Sequence, residues 1–162
     1  MTFDIGLHID YRGKDAVELP VNPRINFWIN IGETAVPGED STNSVFELPF
    51  LLTLLRVLDD VRTSDGDART FFEVDGGAIL LPDQVGRGRI EITNRYSKEA
   101  IDDESERLGI ENTATVSVEE FTDAVLERAR STLQRIREDH PEANDHRIEL
   151  IEQGINRSTL DS

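Results

Sequence analysis

Apolar and polar positions alternate strictly in two stretches near the start of the chain. Phe3, Ile5, Leu7, Ile9 and Tyr11 alternate with Asp4, Gly6, His8 and Asp10. Ile25, Phe27, Ile29 and Ile31 alternate with Asn26, Trp28 and Asn30. A period of two sends one side of a strand into a core and the other toward solvent. Both stretches are predicted strands, and the second carries Trp28 on its polar side.

The pattern then changes. Leu51, Leu52, Leu54, Leu55, Val57, Leu58 and Val61 form the densest apolar run of the chain. Positions 51, 54, 55, 58 and 61 share one helical face, and 52 and 57 widen it. Pro49 suits the first helical position, and the residue before a proline prefers extended geometry. The reading is an extended Val45 to Leu48 followed by a helix from Pro49. A helix of about 13 residues is marginal alone, so this one requires cover from the strands.

Period two returns in short pieces: Thr70 to Val74, Ala78 to Leu81, Arg89 to Asn94 and Asn112 to Val116. Asp75-Gly76-Gly77 reads as a hairpin turn and Gly86-Arg87-Gly88 as a second. Pro82 is read as a strand stop. Ser97 to Gly109 is charged and weakly helical, an excursion between strands. Ser117-Val118-Glu119-Glu120 is a capping box. The helix it opens runs to about Glu138, with Phe121, Val125, Ala129, Leu133 and Ile136 on one face. His140-Pro141 ends it. A short helix over 143–153 follows, with Gly154 as its stop.

Strands joined by short turns favour antiparallel pairing. The expected fold is α+β: a single antiparallel sheet of about five to six strands, with the central short helix and the long C-terminal helix packed on one face. Residues 1–155 form one domain and 156–162 a frayed tail.

Charge alters this picture more than any motif does. The chain has 33 acidic and 17 basic residues, a net charge of −16, and 37% apolar residues. Only Lys14 and Lys98 are lysines; the other basic residues are arginines. This composition resembles that of cytoplasmic proteins from salt-loving archaea. In molar salt the Debye length falls to about 3 Å and the self-repulsion of such a chain largely vanishes. The same charge argues against binding phosphate backbones, which needs clustered lysine and arginine. With no cysteine, disulfides and thiolate chemistry are excluded. No stretch reaches the roughly 20 apolar residues of a membrane span, and the N-terminal alternation is unlike a secretory leader. The expected location is the cytoplasm.

Chemical candidates are few. His8 and Asp10, with Asp4, share the polar side of the first strand, a donor set that suits a divalent metal. Arg87, Arg89 and Arg95 form the one basic spot, where guanidinium groups recognise carboxylate or phosphate. It lacks the spacing of a phosphate loop. Trp28 is the aromatic candidate for a partner surface. His140, Glu142, Asp145 and His146 cluster after a helix end, but Pro141 interrupts any helical ligand pair. The runs Asp59-Asp60 and Asp102-Asp103-Glu104 lack calcium-loop spacing, and no G-x-S-x-G elbow is present.

The sequence therefore points to a non-enzymatic protein-binding or accessory module adapted to high salt, without a cofactor, whose partner is another protein. A sheet with a leucine-rich helix after a Leu-Pro step and a late V-S-x-E-E-F helix resembles small bacterial accessory and toxin-immunity proteins, at the level of fold alone. One alternative is a small metal-dependent enzyme using His8, Asp10 and Asp4. Another is an oligomeric structural protein, a dimer for instance, that buries the exposed side of Trp28.

Overall fold

In a computed structural model, residues 5–11, 19–36, 44–63, 72–73, 79–86, 88–107 and 113–160 are described. Strands β1 (Ile5–Asp10) and β2 (Arg24–Ile31) pair antiparallel along their whole shared length, Ile5 opposite Ile31 and Asp10 opposite Asn26. The other edge of β2 is shared. Strand β3 (Thr34–Val36) takes its far end, and β4 (Ser44–Phe46) takes its near end. Strands β5 (Phe72–Glu73), β6 (Ile79–Gln84), β7 (Arg89–Arg95) and β8 (Thr113–Ser117) form an antiparallel meander. The chain is thus α+β, but its strands make two four-stranded sheets and not the single sheet expected. Both edges of the central strand β2 are occupied, one by β1 and the other by β3 and β4. Among the described residues the two groups of strands approach where β2 and β3 come within 8 Å of β8, and β3 within 8 Å of β7, without pairing.

Helix α1 (Glu47–Thr63) starts two residues before the proline at which the sequence reading began it. The loop ahead of it explains the shift. Glu47 N–H donates to Pro23 O at 3.0 Å and Leu48 N–H to the Asn22 side-chain oxygen at 2.9 Å. The first N–H groups of a helix have no partner inside it, so Pro49 in the first turn removes nothing the helix needs. Leu48, Phe50, Leu51, Leu54, Leu55, Val57, Leu58 and Val61 are buried. They meet Ile25, Phe27, Ile29 and Ile31 of β2 and Leu80, Ile90, Ile92 and Val116 of the second sheet in one core. The Phe27 and Phe50 rings lie 4.3 Å apart, centroid to centroid.

Strand β6 runs through Pro82 instead of ending there. Val85 N–H donates to Arg89 O, and hydrogen-bonded pairs alternate along an antiparallel ladder. Pro82, opposite Ile92, therefore falls where an N–H would point away from β7, and the ring costs that ladder no bond. The charged excursion after β7 is a short helix α2 (Glu99–Asp102) and a 3-10 turn over Glu104–Glu106. Arg107 closes it by donating to Ala100 O at 2.9 Å and Ile101 O at 3.1 Å.

Helix α3 (Val118–Asp139) begins at a serine N-cap, with the Ser117 hydroxyl accepting from Glu120 N–H at 3.0 Å. Phe121, Val125, Ala129, Leu133 and Ile136 are buried as the spacing predicts. Helix α4 (His146–Leu160) does not stop at Gly154. A Cβ there would lie 3.0 Å from Leu55 Cδ1, so this glycine lets α4 press onto α1. The helix continues past the point where the sequence reading placed a frayed tail. Ser158 is buried, and Arg62 donates to its hydroxyl at 3.2 Å and to Arg157 O at 3.1 Å.

Candidate functional site

The outer side of the first sheet carries one exposed aromatic side chain, Phe46, and a half-buried one, Trp28. Along β2, Ile25, Phe27, Ile29 and Ile31 face the core, while Arg24, Asn26, Trp28 and Asn30 alternate with them and are half-buried. Pairing with β4 sets Phe46 opposite Arg24. Phe46 is 46% exposed, one of two large apolar side chains so exposed among the described residues. The Arg24 guanidinium carbon lies 4.8 Å from the centre of its ring, within range of a cation–π contact. Trp28 stands four residues along the same side of β2, roughly 13 Å away at the rise of a strand.

His8 is the register partner of Trp28 and Asp10 that of Asn26, so the first-strand candidates lie beside the tryptophan. Asp4 lies outside the described residues. Among the described residues, no three His, Asp or Glu side chains form a group that could hold a metal ion. The arginine candidates are elsewhere. Arg89 and Arg95 begin and end β7, six residues or roughly 20 Å apart, and Arg87 lies outside the described residues. Gly88 has φ +81°, a backbone angle that favours glycine and fits a tight turn. The three described partner-surface candidates are therefore divided between two sheets, Trp28 on the first and Arg89 and Arg95 on the second.

The residues after α3 are engaged within the fold, one with a distant loop and the others with their neighbours. His140 Nε2 is 2.7 Å from Leu19 O. Asp145 accepts two bonds from the Arg147 guanidinium, at 2.6 and 2.9 Å, which hold its carboxyl below the usual range. His146 meets Glu149 at 3.3 Å on the exposed side of α4.

The sequence reading did not single out Glu47. Its side chain is fully buried at the start of α1. The Tyr11 hydroxyl donates to it at 2.8 Å, and Arg135 Nη2 approaches it at 3.2 Å. Arg135 also donates to Pro20 O at 3.0 Å and Val21 O at 3.3 Å. Burial, then the Glu47 carboxylate, push the Tyr11 hydroxyl up to about 12. Asn22 and Pro23 of the same loop hold the first N–H groups of α1. One ion pair thus joins the end of β1, the loop over 19–23, α1 and α3. The carboxylate is closed to solvent and its bonds are internal, so the arrangement serves packing. Its sequence signal was an acidic residue in the first turn of a helix; the arginine 88 positions later had none.

Among the described residues no helix is long and apolar enough to cross a membrane. No protein-family model, curated protein or solved structure matches this chain.

Proposed function

We propose that this chain is a non-enzymatic protein-binding module of a high-salt cytoplasm, and that it engages its partner through the outer side of the first sheet. The carrying observation is Phe46, 46% exposed with Arg24 stacked on it, on the same side as Trp28. Aromatic and arginine side chains are the residues that anchor protein interfaces. They stand out on a chain of net charge −16. The buried Glu47–Arg135 pair has no opening through which to act on a substrate, which supports a binding role over a catalytic one.

The test is affinity capture from a lysate of the source organism in molar KCl, comparing wild type with Phe46→Glu. Phe46 lies at the edge of its sheet and outside the core, and circular dichroism of the variant checks that the fold is kept. The expected result is one protein partner, stoichiometric with wild type and at least about tenfold depleted with the variant, a loss of about 1.4 kcal/mol or more. Equal recovery by both forms overturns the assignment of the surface. Recovery of the chain's own second copy alone moves the reading to an oligomer.

A further inference from the structure

A groove of about 280 Å³ lies between α1 and α4. Two contacts fix how these helices run. Gly154 meets Leu55, and Arg62, later in α1, reaches Ser158 and Arg157 O, later in α4. The helices therefore advance in the same direction. Leu52 and Leu150 stand about one turn before the Leu55–Gly154 contact, and Asp59 and Arg157 about one turn after it. Arg56 directly follows Leu55. The residues lining the groove are thus sorted along its length.

One end is apolar. Leu52 and Leu150 are half-buried, one from each helix, and Leu55 is buried. Leu150 lies outside the core cluster. Thr53 turns its hydroxyl back to Pro49 O at 3.0 Å. The other end carries Arg56 and Arg157, again one from each helix, and both are exposed. Arg107, Arg135, Arg137 and Arg147 each meet a carboxylate. The side chains of Arg56 and Arg157 have no hydrogen bond or ion pair among the described residues. Asp59 is the one acid lining the groove, so this end sets two guanidiniums against one carboxylate. That local excess of positive charge stands on a chain of net charge −16.

We propose that this groove binds a small aliphatic carboxylate, its chain on Leu52, Leu55 and Leu150 and its head group held by Arg56 and Arg157. A guanidinium matches a carboxylate in shape and in donor spacing. An apolar lining with a few polar groups at one end is the usual build of a small-molecule site, and the volume falls just below the roughly 300 Å³ at which sites for drug-sized ligands begin. The ligand is therefore small. A guanidinium–carboxylate bond of about 2.8 Å is no longer than the Debye length of about 3 Å in molar salt, so contact survives where long-range attraction is screened. Asp59 opposes the head group and sets a limit on affinity. This site goes beyond the sheet surface around Phe46 and acts independently of it.

The experiment titrates the full chain, with isotope-labelled leucine methyl groups, in molar KCl. The probe is hexanoate. Hexanamide keeps the chain without the charge, hexylamine reverses the charge, and acetate keeps the head group without the chain. Hexanoate is expected to shift the methyl signals of Leu52, Leu55 and Leu150 saturably, with a dissociation constant on the order of 1 mM for so small a ligand. Hexanamide and hexylamine are expected to bind at least about fivefold more weakly, and acetate to shift none of the three. Arg56→Gln and Arg157→Gln each weaken hexanoate about fivefold and leave hexanamide unchanged. Both side chains are exposed, and the amide spectrum checks that the fold is kept. Asp59→Asn tightens hexanoate, and Leu150→Asn weakens hexanoate and hexanamide alike. Phe46→Glu leaves the titration unchanged, so this site and the sheet surface stand or fall separately. Four results overturn the proposal: no saturable shift of the three leucines, hexanamide or hexylamine bound as tightly as hexanoate, binding undiminished in both arginine variants, or an acetylated peptide ending in leucine bound more tightly than hexanoate, which assigns the groove to a partner's chain end.

Discussion

Removing Arg135 tests the internal ion pair most directly. Its side chain is 11% exposed and that of Glu47 is not exposed at all. In Arg135→Met the arginine's bonds to Pro20 O, Val21 O and Glu47 disappear. The carboxylate then keeps the Tyr11 hydroxyl, at 2.8 Å, as its side-chain donor. Stranding one member of a buried pair costs about 3–5 kcal/mol. The surviving tyrosine bond and the length of methionine place the expected loss near the lower end, about 3 kcal/mol. For a domain with a total stability of about 5–15 kcal/mol that is a large fraction. Glu47→Gln keeps an acceptor for Tyr11 and leaves Arg135 its two carbonyl partners, so its expected cost is about 1–2 kcal/mol. The double variant is expected to cost about 1–2 kcal/mol less than the sum of the two. Urea unfolding in molar KCl, followed by far-ultraviolet circular dichroism and Trp28 fluorescence, measures all four forms by linear extrapolation. A loss below about 1 kcal/mol for Arg135→Met, or additivity within about 0.5 kcal/mol, refutes the reasoning.

The same cluster predicts an alkaline limit to stability. Tyr11 titrates near 12 when folded against 10.0 when unfolded. The folded state therefore holds the proton more tightly, and the contribution is complete below pH 10 and lost as pH rises toward 12. Partial exposure of the ring reduces it to about 1–2 kcal/mol. Tyr11→Phe should flatten that part of the stability profile, and an unchanged slope counts against the assignment. At Gly154 two effects oppose each other. Alanine gains about 1 kcal/mol of helix propensity, but its Cβ would meet Leu55 Cδ1 at 3.0 Å and Leu55 Cβ at 3.3 Å. Overpacking of this kind costs about 1–3 kcal/mol, so Gly154→Ala should be net destabilising, and stabilising only on a Leu55→Ala background. A urea midpoint that rises in the wild-type background contradicts this.

Local features of the sequence carried most of the elements. The alternation around Phe27, the leucine spacing of α1 and the Ser117 cap of α3 each fix a geometry within a few residues, and each is present in the structure. The differences arise where distant residues decide. Pro49 could not reveal that Pro23 and Asn22 would hold the start of α1. Pro82 resembles a strand stop until the phase of its ladder with β7 is known. Gly154 has the residue type of a helix end, but Leu55 gives it the role of a contact. The division into two sheets lies in which strands pair, β1–β4 among themselves and β5–β8 among themselves, and no single strand's pattern encodes that. The candidate surface was half legible: Trp28 was visible as an aromatic on a polar side. The pairing of Phe46 with Arg24 required the register of β4.

The close seat of α4 on α1 also governs how the chain emerges during synthesis. Helix α1 ends at Thr63 and α4 begins at His146. At translation rates of about 5–20 residues per second, the leucine face of α1 is made several seconds before the helix that packs beside Leu55. Throughout that interval the nascent chain is a ribosome-bound intermediate with an unsealed apolar side. That side is covered only once α4 has been made and has packed beside Leu55.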